Sequence, residues 1–319
     1  MSASGSGPRI VEPSVAAPPG RPGEGLPPDR PDVPGTPSRR RRPRRGNHEE
    51  RPNWWLTGLM VFLALSVFVP LYFAVVTALK TPDQLTGAGF DLPTTVRWEN
   101  FADAWRLTSF PRSALNSALI TVGAVVLTLL TNSMVAYAIA RNMHRRAFKG
   151  LFYYFISALF VPFPILMLPV AKQTALMGLD NQLGLVLLYT VYGLSFNVFV
   201  FVAYINSIPR ELEEAATMDG ASTWTTFWKV IFPLLAPMNA TVGILTCLWA
   251  WNDFLLPLVI VSDPRAATLP LQQYVFQGQF STNYPVAFAS YLMAMVPLLL
   301  VYVVAQRWVI SGVTRGAIK

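Results

Sequence analysis

The sequence predicts an all-α membrane protein with six transmembrane helices. One observation is composition. Of 319 residues, 53% are hydrophobic and only 13% are charged, against about 25% charged in soluble domains. So little charge cannot cover a water-facing surface, which leaves lipid as the surrounding medium. A second observation is spacing. Apolar stretches at about 56–79, 113–140, 150–171, 184–205, 238–261 and 286–308 are each long enough to supply the ~20 residues a helix needs to cross a ~30 Å hydrocarbon core. None shows the alternating polarity of a barrel strand.

Residues 1–52 precede these stretches and are rich in Pro, Gly, Ser and Arg. Such a segment buries too little to offset its ordering entropy and is predicted to be a disordered tail. The remainder, 53–319, forms the membrane domain. The run from Leu56 to Leu79 is too long for a signal h-region, and no small-residue cleavage site follows it, so it reads as a retained first helix. The third stretch carries Pro162, Pro164 and Pro169. Kinks there suit the lining of a pathway, and membrane helices also tolerate proline for purely structural reasons.

Charge sets the predicted orientation. The net charge is +8, but ten of the 25 Lys/Arg residues precede Asn53, seven of them between Arg39 and Arg51. A basic run before a first span is a topology signal, and nucleic acid is not an expected partner. With the N-terminus inside, the inner connections hold 19 Lys/Arg and the outer ones six, namely Lys80, Arg97, Arg106, Arg112, Lys172 and Arg265. Trp54, Trp55 and Trp308 then sit at inner ends, where indole rings anchor at the interface. Both termini are therefore predicted to be cytoplasmic.

Catalytic chemistry finds little support. Cys247 is the single cysteine, and His48 and His144 lie apart in basic stretches, so no metal, haem or nucleophile set assembles. No G-x-x-x-x-G-K-S/T phosphate loop occurs. A self-powered secondary transporter usually needs intramembrane ionisable relays, often in repeated halves. Only Asp253 lies well inside a span, and no repeat is evident. A membrane enzyme would need a nucleophile–base pair or paired carboxylates at membrane depth, and none is found.

The 206–237 connection carries the most pattern. Pro209 suits a first helical turn, and Glu211, Glu213 and Glu214 follow where the helix N-terminus favours negative charge. Helical periodicity puts Ile208, Leu212, Ala215 and Ala216 on one face and Arg210, Glu213, Glu214 and Thr217 opposite. Gly220 fits the left-handed position that closes such a helix. Ser222 is placed to cap a second one, in which Trp224, Phe227, Trp228 and Ile231 share an apolar face. Pro233 and Pro237 punctuate the entry to the next span.

These residues resemble a known family. Glu214–Ala215–Ala216, then Asp219–Gly220–Ala221, then Val230–Ile231–Phe232–Pro233 resemble the E-A-A loop of ABC importer permeases. Asn116–Ser117, A-Y-A-I-A-R at 136–141, W-N-D-F-L-L-P-L at 251–258, T-L-P-L at 268–271, F-Q-G-Q-F at 276–280 and the segment 305–319 are similar to the second permease subunit of maltose-type carbohydrate importers. The resemblance implies the type I importer permease fold in a bacterial cytoplasmic membrane. It also implies four partners: a homologous second permease subunit, a separate ATPase dimer holding ATP and Mg, an extracytoplasmic sugar-binding protein or lipoprotein, and a sugar. No cofactor is expected on this chain.

By the same resemblance the coupling residues are Arg210, Glu214, Ala215, Ala216, Asp219, Gly220, Trp224 and Phe227, docking in a groove on the ATPase. The aromatic face of Trp224 and Phe227 has a second reading, packing against the permease itself. Asp253, about 15 residues or roughly 22 Å into its span, sits past the midplane. With Asn252 it either meets sugar hydroxyls or joins helices. Asp263, Gln277, Gln279 and Tyr284 of the outer 262–285 loop fall where the family meets its binding protein, and a solvated loop is the alternative.

Overall fold

The computed structural model describes residues 54–86, 89–276 and 283–317, and all regular structure within them is helical. The predicted disordered tail, Gln277 and Gln279 lie outside the described residues. The first span comprises α1 (Trp54–Ser66) and α2 (Phe68–Ala78), 25 residues separated only by a turn at Val67. A 3-10 turn at Pro82–Thr86 leads on to α3 (Glu99–Leu107). Asn100 of α3 donates to the carbonyls of Ala78 at 2.8 Å and Lys80 at 2.9 Å, satisfying oxygens that the end of α2 would leave open.

Helix α4 (Phe110–Arg141) is 32 residues long, with Pro111 in its first turn. It is followed by α5 (Arg146–Ala158) and α6 (Phe163–Leu176), which meet at 106°. The proline-bearing span expected over 150–171 is therefore a sharply bent pair. Pro162 has no N–H to continue the ladder, stands extended at ψ 132° and disfavours a helical Val161 before it, so the turn falls at 159–162.

Helix α7 (Gln182–Asn206) starts at Asn181, whose Oδ1 accepts from the amides of Leu183 and Gly184. Then come α8 (Glu211–Met218), α9 (Thr223–Thr226), a π-helical turn at Phe227–Ile231, and α10 (Phe232–Leu234). The segment 223–234 meets α11 (Ala236–Asn252) at 75°. The fifth expected span also breaks. Its helix ends at Asn252, Asp253 is extended, and α12 (Leu255–Ile260) restarts it. Last come α13 (Leu269–Gln273) and α14 (Tyr284–Ala317). Among the described residues four spans are long and apolar enough to cross a bilayer (α1–α2, α4, α7 and α14), and the count reaches six when each bent pair is one span.

The packing centre is the pair α4 and α7. At one end Ala136, Ile139 and Ala140 of α4 meet Phe201, Val202 and Ile205 of α7, together with Phe227, Ile231 and Leu235. Towards the other end Ile120 and Ala124 meet Leu185 and Tyr189, joined by Leu256 and Ile260 of α12. Small residues permit the close approach, as membrane helix pairs require. A third cluster joins α2, α3 and α14 through Ala78, Ala104, Val286 and Ala289.

Candidate functional site

Helix α8 ends as its sequence predicts. Gly220 has φ 81°, the Gly220 amide donates to Thr217 O and the Ala221 amide to Ala216 O, which is a Schellman closure. The next residue but one, Ser222, accepts from the Thr225 amide at 3.2 Å and starts α9. These two caps set the bend between the helices.

The face that α8 turns inward matches the one its periodicity selects only in part: Ile208 just ahead of it is buried and Ala216 half-buried, while Leu212 and Ala215 stay exposed. Glu213, expected outward, is the residue that docks. Its Oε1 accepts from Arg141 Nε at 2.6 Å and its Oε2 from Tyr137 Oη at 2.8 Å. Arg141 Nη2 lies 2.5 Å from the same Oε1 and donates to Ile208 O at 3.2 Å. No residue of α8 is fully buried. Leu212, Ala215 and Met218, spaced three apart, form an open strip, with Met218 90% exposed. A two-turn helix has little apolar area to bury, so the charge and hydroxyl at the foot of α4 decide which side faces in.

The predicted coupling residues divide accordingly. Arg210, Glu214, Ala215, Asp219 and Gly220 are exposed and Ala216 is half-buried. Trp224 is 61% exposed, whereas Phe227 is 2% exposed, with its ring 5.3 Å from Tyr137 and 4.9 Å from Trp228. Phe227 therefore belongs to the permease core and not to an open surface. The π-helical turn beginning at Phe227 rotates this part of the apolar face onto α4 and α7.

Between α7 and α11 lies a crevice of about 360 Å³, lined by Tyr192, Gly193, Phe196 and Asn197 of α7 and Leu245, Thr246 and Trp249 of α11. Its walls are mainly aromatic and aliphatic. Asn197 is buried, and its Nδ2 has no hydrogen-bond partner. A Cβ on Gly193 would come within 2.9 Å of that nitrogen, so glycine keeps the amide's space open. An unmet buried donor costs about 1–3 kcal/mol and suits a visiting acceptor. No charge or motif marks these residues in the sequence. The available signal was Tyr192 and Phe196 at i,i+4 beside Asn197, facing Thr246 and Trp249 at i,i+3.

Asp253 lies next to this crevice and holds helices together. Its Oδ2 accepts from Tyr189 Oη at 3.0 Å and its Oδ1 from the Leu255 amide at 3.0 Å. The Tyr189 ring in turn packs on Trp249, 5.2 Å between centroids. Asn252 is exposed and donates back to Leu248 O at 2.7 Å. In the predicted outer loop, Asp263 caps a 3-10 turn by accepting from the Arg265 amide at 2.8 Å, and Tyr284 is exposed. Asn116 at the near end of α4 donates to Arg265 O at 2.9 Å and Ala267 O at 3.0 Å, while Ser117 Oγ accepts from the Leu269 amide at 2.8 Å.

The described residues thus form a bundle of apolar helices with an exposed two-helix bend and an aromatic crevice. Residues 132–315 match the family of binding-protein-dependent transport system inner membrane components. The multiple sugar-binding transport system permease protein MsmG of Streptococcus mutans is 38% identical over 277 residues, covering 85% of this chain and 99% of that protein. The melibiose/raffinose/stachyose import permease protein MelC of Bacillus subtilis is 30% identical, covering 83% and 96%. The fold is shared with a chain of a bacterial ABC transporter involved in import of the polysaccharide alginate, with a TM-score of 0.67 at 24% identity over 80% of this chain and 95% of that one. The chain belongs to the family of inner-membrane permease components of binding-protein-dependent transport systems. It is a non-catalytic, multi-pass protein of the cytoplasmic membrane.

Proposed function

We propose that this chain is the second of two homologous permease subunits in an ATP-binding cassette importer for a sugar. An ATPase dimer, carrying ATP and Mg, docks on the bend formed by α8 and α9. An extracytoplasmic sugar-binding protein or lipoprotein delivers substrate to the opposite side. The observation that carries this reading is the divided use of α8. Glu213 holds the helix to α4 while Glu214, Met218 and Trp224 stay open. Exposed large apolar side chains beside charge are the makings of a protein interface.

Sugar as cargo is supported by the names of MsmG and MelC and by the crevice. Aromatic walls suit the C–H faces of a sugar ring, and the free amide of Asn197 suits a hydroxyl. These crevice residues join Asn252 and Asp253 as candidates for the pathway; Asp253 is also tied to Tyr189 and Leu255, and Asn252 is exposed. Mono-, di- and oligosaccharides all fit this description.

The test is purification and reconstitution of the transporter. The chain should co-purify with an ATPase and a related permease, and Glu214→Lys should lower ATPase retention and ATP-driven uptake at least tenfold, as expected for roughly 1.4 kcal/mol or more at a central contact. Unchanged retention and uptake would remove the coupling assignment. ATP-independent uptake by this chain alone in liposomes would remove the importer reading altogether.

A further inference from the structure

Glu213 and Glu214 are neighbours in sequence and opposites in structure. Glu214 is exposed. The Glu213 side chain is 16% exposed and that of Arg141 12%, and both Glu213 oxygens are taken by α4, one by Arg141 and one by Tyr137. Arg141 also holds Ile208 O, just ahead of α8. Three directed bonds thus fix α8 on the last turns of α4. Such charge-assisted bonds are short and about twice as strong as neutral ones, and a partly buried pair is poorly screened by salt. Apolar packing adds Ile208, buried just ahead of α8, whereas Leu212, Ala215 and Met218 face away.

Helix α4 runs unbroken from Phe110 to Arg141, with no proline after Pro111. The α5–α6 and α11–α12 segments, by contrast, are interrupted. At its far end α4 is gripped again. Buried Asn116 binds two carbonyls of the 265–267 connection and Ser117 holds the Leu269 amide. From Asn116 to Arg141 is about 37 Å of continuous helix at 1.5 Å per residue. A rigid element held at both ends by directed polar contacts moves both ends together, whereas a bent one absorbs displacement at its bend.

We propose that α4 is a transmission rod, with Glu213, Arg141 and Tyr137 as positioning residues that pass displacement of α8 to Asn116 and Ser117, and through them to the 265–269 connection on the opposite side. This rests on the functional reading above, in which α8 is what the ATPase moves. The ATPase surface and the rod are then served by different glutamates: Glu214 meets the partner, and Glu213 carries the movement inward.

The experiment uses the complete transporter complex in nanodiscs, with Cys247→Ser and a bimane label on Arg265→Cys beside the Asn116 contact. ATP–Mg with orthovanadate is the probe. The parent complex should show an emission shift. Glu213→Gln should retain its ATPase subunits and basal hydrolysis while losing that shift by at least about fivefold, the lower range of ordinary coupling between sites. A full shift in Glu213→Gln overturns the rod, as does departure of the ATPase from an otherwise assembled Glu213→Gln complex, which would make Glu213 a docking residue. Should Glu213→Gln not assemble, Tyr137→Phe keeps the ring packed and removes one bond. A reduced shift there supports the rod and a full one overturns it. A parent complex holding its ATPase but showing no shift defeats the rod alone, and a parent with no ATPase defeats the functional reading as well.

Discussion

Asn197 is held in a buried position with its Nδ2 unmet, an arrangement that stability alone does not favour. Asn197→Leu is therefore expected to leave thermal unfolding of the purified complex unchanged or raise its midpoint, while sugar uptake falls about tenfold, one lost hydrogen bond's worth. A matching loss of both would assign Asn197 to packing. Asp253 has the reverse character. Its carboxylate meets the hydroxyl of fully buried Tyr189 and the first free amide of α12. Asp253→Ala should destabilise the protein by about 1–3 kcal/mol. In a double-mutant cycle with Tyr189→Phe the two losses should fall short of additive, since both remove one contact. Additive losses would separate the two residues. Sequence reasoning located Asp253 by its rarity in a span. Asn197 escaped because an uncharged amide in an apolar helix is common, and only the facing α11 wall gives it meaning.

At the level of elements, the caps of the α8–α9 bend were legible because they depend on neighbours in sequence. Gly220 at φ 81° and Ser222 at the start of α9 stand as expected. Gly220→Ala should cost about 1–2 kcal/mol from the left-handed backbone alone, read as a lower unfolding midpoint together with weaker ATPase retention. An unaltered midpoint would mean the turn relaxes freely. The face that α8 buries was legible only in part, in buried Ile208 and half-buried Ala216. Periodicity sorts Leu212 and Ala215 inward, but Arg141 and Tyr137, some seventy residues away in the chain, draw Glu213 in instead. Phe227 shows the same limit, since the π-helical turn places it against Tyr137 while Trp224 stays open.

For the molecule as a whole, the prediction concerns dependence on partners. This chain reconstituted alone should give no uptake above empty liposomes, and uptake should require ATP, its ATPase and its binding protein together, measured with radiolabelled sugar. Uptake without ATP would contradict it. The all-helical membrane class and the family were determined by the sequence itself, because apolar length and low charge leave the chain no other solvent and because the E-A-A segment is contiguous. The tertiary structure alone decided that the fifth span is broken at Asp253, that an aromatic crevice opens between α7 and α11, and that Glu213 faces α4. Each of these depends on groups far apart in the chain, whose meeting is governed by packing and charge pairing across helices rather than by any local pattern.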